Sequence, residues 1–156
     1  MKVKIARLTL SGFTLVELLI VIGIVGILGT IAINSYSAYI DRAKIAQAKS
    51  DIRSIEVAIS QYQADHVSKF PTALAEVGKG SLLDPWGTPY QYLDLTTAAN
   101  KNAARKDKNL HPLNSDYDLY SKGKDKDSKI PLTAKSSRDD VIRANDGRFI
   151  GLADDY

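Results

Sequence analysis

Across residues 13–33 of this 156-residue chain there is one charged side chain, Glu17. A helix of twenty-one residues rises about 31 Å, the thickness of a bilayer's hydrocarbon core. Such a run must be shed, buried in lipid or packed against similar helices. A carboxylate within it is expensive and asks for a partner.

The charge balance sharpens this reading. The formal net charge is +3, which by itself invites an anionic partner. Lys2, Lys4 and Arg7 hold the whole excess, since the remainder carries 18 basic and 18 acidic residues. The basicity therefore belongs to residues 1–12, a short leader without an acid, whose charges favour a cytoplasmic N-terminus. A nucleic-acid face is not indicated. The absence of cysteine excludes a disulfide framework and a cysteine zinc site, and leaves the redox compartment open.

Three readings of the junction compete. Signal cleavage near Ser35-Tyr36-Ser37 would follow an apolar core longer than secretory signals carry. An uncleaved anchor fits the length but leaves Glu17 unexplained. The third places a cut between Gly12 and Phe13 and retains the helix. The run Gly12-Phe13-Thr14-Leu15-Val16-Glu17, with the apolar residues behind it, closely resembles the prepilin signal of type IV pilins and type II secretion pseudopilins. The resemblance implies cleavage after Gly12 by a prepilin peptidase, N-methylation of Phe13 and a helix that polymerises with its own copies. A new amine on Phe13 would lie one helical turn from Glu17. In a bundle it can neutralise Glu17 of a neighbour and fix the axial stagger between subunits. Gly23, Gly26 and Gly29 allow close helix approach or local loosening. Asn34 stands where relatives often carry proline, and marks a soft point together with Gly29. Tyr36 and Tyr39 suit an interfacial belt or a plain helix surface.

Beyond the apolar run, Ile45, Ala48, Ile52, Ile55, Ile59 and Tyr62 are spaced 3, 4, 3, 4, 3, an apolar stripe on an amphipathic helix. No proline or glycine interrupts residues 30–70, so one helix from Phe13 to about Asp65 is predicted, with the stripe against a globular domain. Phe70-Pro71 ends it. Residues 72–77 are expected to form a short helix capped by Thr72 and stopped by Gly78 and Gly80. Asp84-Pro85-Trp86-Gly87 is a turn with Trp86 packed beneath it, and Tyr90-Gln91-Tyr92-Leu93 a strand. This stretch resembles the major pseudopilin of type II secretion systems. Residues 96–112, with Lys101, Arg105, Lys106 and Lys108, read as a solvated loop or short exposed helix. They lack the aromatics that single-stranded nucleic acid would need.

Residues 117–120 alternate as a strand, a long loop runs over 121–140, and Asp146-Gly147 forms a hairpin turn. Acids gather in this region without Cys or His, a donor set suited to a hard cation, although the EF-hand spacing fails. The segment from Tyr120 to Asp125, followed by Asp139 and Asp140, resembles the calcium loop of the major pseudopilin. That resemblance implies Asp125, Asp139 and Asp140 as side-chain ligands and Lys122 as a carbonyl ligand. Lys126, Lys129, Lys135 and Arg138 are four cations that could stand in for the metal. Catalysis has little to work with: His66 and His111 lie in no recognisable signature, and enzyme activity is not expected.

The expected architecture is α+β, a pilin fold. A leader (1–12) precedes a transmembrane and assembly helix (13–33) and its amphipathic continuation (34–66). That helix packs on a small antiparallel sheet within residues 67–156. The resemblance implies a homopolymer built on an inner-membrane assembly platform with minor pseudopilins. The chain would be single-pass before assembly and lie in a periplasmic filament after it, driving protein export. A type IV pilus subunit is the alternative.

Overall fold

The computed structural model describes residues 12–156, apart from the side chains of 31–35 and 98. Lys2, Lys4 and Arg7 of the leader, and the Asn34 side chain, lie outside the described residues. The elements are α1 (Leu15–Asp65), β1 (Gln91–Asp94), α2 (Ala98–Asn102), β2 (Tyr117–Ser121), β3 (Val141–Ala144) and β4 (Phe149–Leu152). A long helix packed against a four-stranded antiparallel sheet is the α+β, pilin-like arrangement expected from the sequence.

The chain forms two compact units, one ending at Ile40 and the other covering Asp41–Tyr156. In the first, α1 presents apolar side chains on every face, from Val21 at 50% to Leu15 at 78% exposure. Among the described residues, no helix is long and apolar enough to cross a membrane. The apolar side chains described there cover residues 13–30, somewhat short of the roughly 20-residue span a bilayer requires.

In the second unit the stripe is the core. Ala48, Ile52, Ile55 and Ile59 are fully buried, with Leu74, Tyr90, Tyr117, Leu119 and Val141 against them. The sheet has the strand order β1-β2-β3-β4, every neighbouring pair antiparallel. Successive strand residues point to opposite faces. Tyr117, Leu119 and Val141 therefore meet α1, while Tyr120, Ile142 and Ala144 face away from it. That second face is not bare: Leu113, Leu132 and Ala153 close over Ile142 and Ala144 in a separate apolar cluster. Both faces of β3 are buried in consequence.

The loops therefore form a second layer of the fold. Lys106 N donates to Ile130 O at 3.2 Å, and Leu132 N to Lys106 O at 2.9 Å, joining the segment after α2 to the 121–140 loop. The expectation of a solvated loop over 96–112 is corrected at Ala104 and Arg105, which are buried. The short helix over 72–77 is also corrected. It is a 3-10 turn, Leu74–Val77, whose N-cap Ala73 makes no side-chain bond. Thr72 instead binds the Glu76 carboxylate through its N–H and hydroxyl. Gly78 ends the turn at φ 69°, as expected of a left-handed C-cap.

Candidate assembly and cation sites

At the start of α1, Thr14 and Glu17 satisfy each other. Thr14 N and Oγ1 donate to Glu17 Oε2 at 2.9 and 2.8 Å, and Glu17 N donates back to Thr14 Oγ1 at 3.2 Å. This is a capping box, which occupies N–H groups that a helix start leaves without partners. Glu17 thus has a partner within its own chain. Gly12 and Phe13 precede it, both exposed and outside the helix.

The acidic region separates into three arrangements. Asp139 Oδ2 accepts the backbone N–H groups of Lys124 (2.7 Å) and Asp125 (3.0 Å). Asp125 Oδ1 accepts from Asp127 N at 2.9 Å, a local turn on an exposed loop. Asp140 is fully buried, and its Oδ2 accepts from Arg105 Nη2 and Ser128 Oγ, each at 2.6 Å. Burial pushes the Asp140 carboxyl up to about 6, against the opposing hydrogen bond from Ser128 and the Arg105 charge. Lys122 is half-buried just after β2.

Calcium takes six to eight converging oxygens. Among the described residues, no group of three or more His, Cys, Asp or Glu is placed to hold a metal ion. The expected side-chain ligands Asp125, Asp139 and Asp140 form no such group, and three of their carboxylate oxygens (Asp125 Oδ1, Asp139 Oδ2 and Asp140 Oδ2) are engaged by protein donors. These residues as arranged do not fit the ion. The cation that reaches Asp140 is Arg105, which is not one of the four expected; of those, Arg138 faces Asp154 at 3.8 Å in an exposed pair.

Two further buried polar centres position these loops. Asp84, within the Asp-Pro-Trp-Gly turn, accepts from Trp86 N (3.0 Å), Thr88 N (2.8 Å) and Ser121 Oγ (2.5 Å). It thereby ties the turn to the end of β2. Arg143 on β3 donates to Glu56 Oε1 on α1 at 2.6 Å and holds Asp116 through two bonds of 2.7 and 2.6 Å. Its guanidinium lies 4.0 Å from the Tyr117 ring centroid. Burial alone would lower the Arg143 pKa, but Asp116, Tyr117 and Glu56 hold it well above the usual range.

The family model described as a prokaryotic N-terminal methylation motif matches residues 11–33. The type II secretion system core protein G of Pseudomonas aeruginosa is 34% identical over 103 residues, covering 53% of this chain and 72% of that protein. A fimbrial protein of Dichelobacter nodosus is 33% identical over 148 residues, 94% of this chain and 91% of that protein. The chain belongs to the type IV pilin and pseudopilin family. The major pilin PilE of Neisseria gonorrhoeae is more distant, 28% identical over 149 residues, 89% of this chain and 87% of that protein. No solved structure matches at a significant level.

In this pilin-family chain the matched motif contains Gly12, Phe13 and Glu17, the three residues singled out for processing and assembly. These relatives bear the names of filament and secretion-core proteins rather than enzymes, which suggests a non-catalytic subunit. Sequence reasoning missed the capping box, although Thr-x-x-Glu before an apolar run is its signature. It also missed Arg105 and Arg143 as buried cations, because nothing in a polar loop or a four-residue strand marks which cation turns inward.

Proposed function

We propose that this chain is a subunit of a type II secretion pseudopilus. Prepilin peptidase cuts it between Gly12 and Phe13, and Phe13 is N-methylated. The apolar part of its helix holds it in the inner membrane with the C-terminal region in the periplasm. An assembly platform with minor pseudopilins then polymerises it to drive protein export. The observation that carries the filament reading is the first unit of α1, apolar on every face with a lone carboxylate near its start. A surface of that size and character calls for lipid or copies of itself. The similarity to secretion core protein G and the Asp84-Pro85-Trp86-Gly87 turn favour the pseudopilus, in which Glu17 meets the Phe13 amine of a neighbouring copy.

A surface type IV pilus is the second reading. It is favoured by the Dichelobacter fimbrial protein, whose match extends over almost the whole chain. Mass spectrometry of the mature chain tests processing: an N-methylated Phe13 is expected, and a start near Ala38 would overturn the filament reading. Deleting the gene separates the two destinations. Loss of proteins from the medium with surface fibres intact supports the pseudopilus, and normal export with fibres lost supports the pilus.

A further inference from the structure

Arg105 lies where the segment after α2 meets the 121–140 loop, and nearly all of its polar groups are committed there. Its N–H donates to buried Asp118 Oδ2 at 2.6 Å, and its carbonyl accepts from Leu113 N at 3.0 Å. Its side chain is 5% exposed, and its Nη2 meets the fully buried Asp140 at 2.6 Å. Nη1 hydrogen-bonds Ser128 Oγ, in the middle of the loop. The guanidinium carbon stands 4.2 Å from the Tyr120 ring centroid on β2. One cation therefore touches the strand before the loop, the loop itself and the residue that leads into β3.

We propose that the Arg105 guanidinium, seated between Ser128 and Asp140, is the internal cation that closes the 121–140 loop in place of a divalent metal ion. A long polar loop needs something to gather its carboxylates, and a metal does this by converging oxygens. Here the work is divided. Backbone N–H groups take Asp139, and a charge-assisted guanidinium takes Asp140. A divalent ion brought to the same carboxylate would face the fixed positive charge of Arg105 at close range and in a poorly screened setting. The aromatic face of Tyr120 adds a cation–π contact that suits a planar guanidinium. Metal dependence is thereby exchanged for dependence on one arginine from a different loop.

The test uses the full chain in detergent micelles, followed by Trp86 fluorescence on heating and by tryptic cleavage within the loop at Lys126 and Lys129. The wild-type chain is expected to melt at the same midpoint in EDTA as in millimolar calcium, with equal cleavage rates. R105Q is expected to be cleaved about an order of magnitude faster, because it leaves Asp140 buried without its cation. R105Q/D140N, with both charges removed, is expected to be cleaved more slowly than R105Q, a coupling that loss of side-chain packing alone would not produce. A lower midpoint or faster cleavage of the wild-type chain in EDTA would overturn the proposal. So would a double variant cleaved as fast as R105Q. The chelator comparison needs no variant to fold, and it reads the loop independently of whether the filament serves secretion or a pilus.

Discussion

Arg143 and Glu56, 87 positions apart in sequence, meet at 2.6 Å between β3 and α1. The bond lies at the edge of the apolar stripe, and Asp116 closes the other side of the same guanidinium. Replacing Arg143 by Gln would leave two carboxylates facing a largely buried gap. The expected loss is about 3 kcal/mol in urea unfolding of the detergent-solubilised chain. Replacing Glu56 by Gln, which leaves the Asp116 pair intact, is expected to cost distinctly less. Equal losses for the two variants would contradict this account.

Ile55 is fully buried in the helix–sheet core, whereas Val57, two residues on, is 58% exposed. Ile55→Ala is expected to cost about 2–5 kcal/mol, through lost burial and the cavity left behind. Val57→Ala should stay within about 0.5 kcal/mol. The pair of urea curves checks the face assignment of α1.

Gly123 holds a backbone φ of 66°, and a Cβ placed there would lie 2.2 Å from Asp139 O. Both the left-handed conformation and the contact oppose any other residue. Gly123→Ala is expected to destabilise by about 1–3 kcal/mol. It should also loosen the Lys124 and Asp125 amides, visible as faster hydrogen exchange at those two positions.

Asp146, in the β3–β4 turn, accepts from Ser115 N at 2.7 Å and Ser115 Oγ at 2.9 Å. Partial burial works to raise its pKa, but the Ser115 bonds and the charge of Arg143 outweigh it and hold the carboxyl below its ordinary 3.8. A depressed folded-state pKa means that the native chain holds this proton less tightly than the unfolded one. The contribution is present above about pH 3.8 and is lost as the pH falls through the folded value. Asp146→Asn should flatten that acid limb relative to wild type, and Ser115→Ala should raise the Asp146 pKa measured by NMR.

The long elements were legible because their periods are unambiguous. The 3, 4, 3, 4 spacing of Ile45 to Tyr62 could only be a helix face. The alternation at Tyr117–Tyr120 and the Asp146-Gly147 turn placed the strands and the last hairpin. The second face of the sheet was not legible. Its cover comes from Leu113 and Leu132, isolated apolar residues in polar stretches, and periodicity carries no signal for a single inward residue. Arg105 was hidden for the same reason: among Lys101, Lys106 and Lys108, composition does not show which cation turns inward. Gly12, Phe13 and Glu17 stood out in the motif, while the carboxylates at 125, 139 and 140 form, among the described residues, no group placed to hold a metal ion.

Tension applied along the Asp41–Asp65 stretch of α1 would load the helix–sheet interface of the globular unit in shear. Greasy contacts such as those of Ile52 and Ile55 are non-directional and yield to sliding. The bonds from Arg143 to Glu56 and from Tyr90 to Asp51, 2.6 and 2.9 Å, are directional and stretch at once. A fibre of such subunits would therefore owe its stiffness to a few polar rivets and its cohesion to the oil around them.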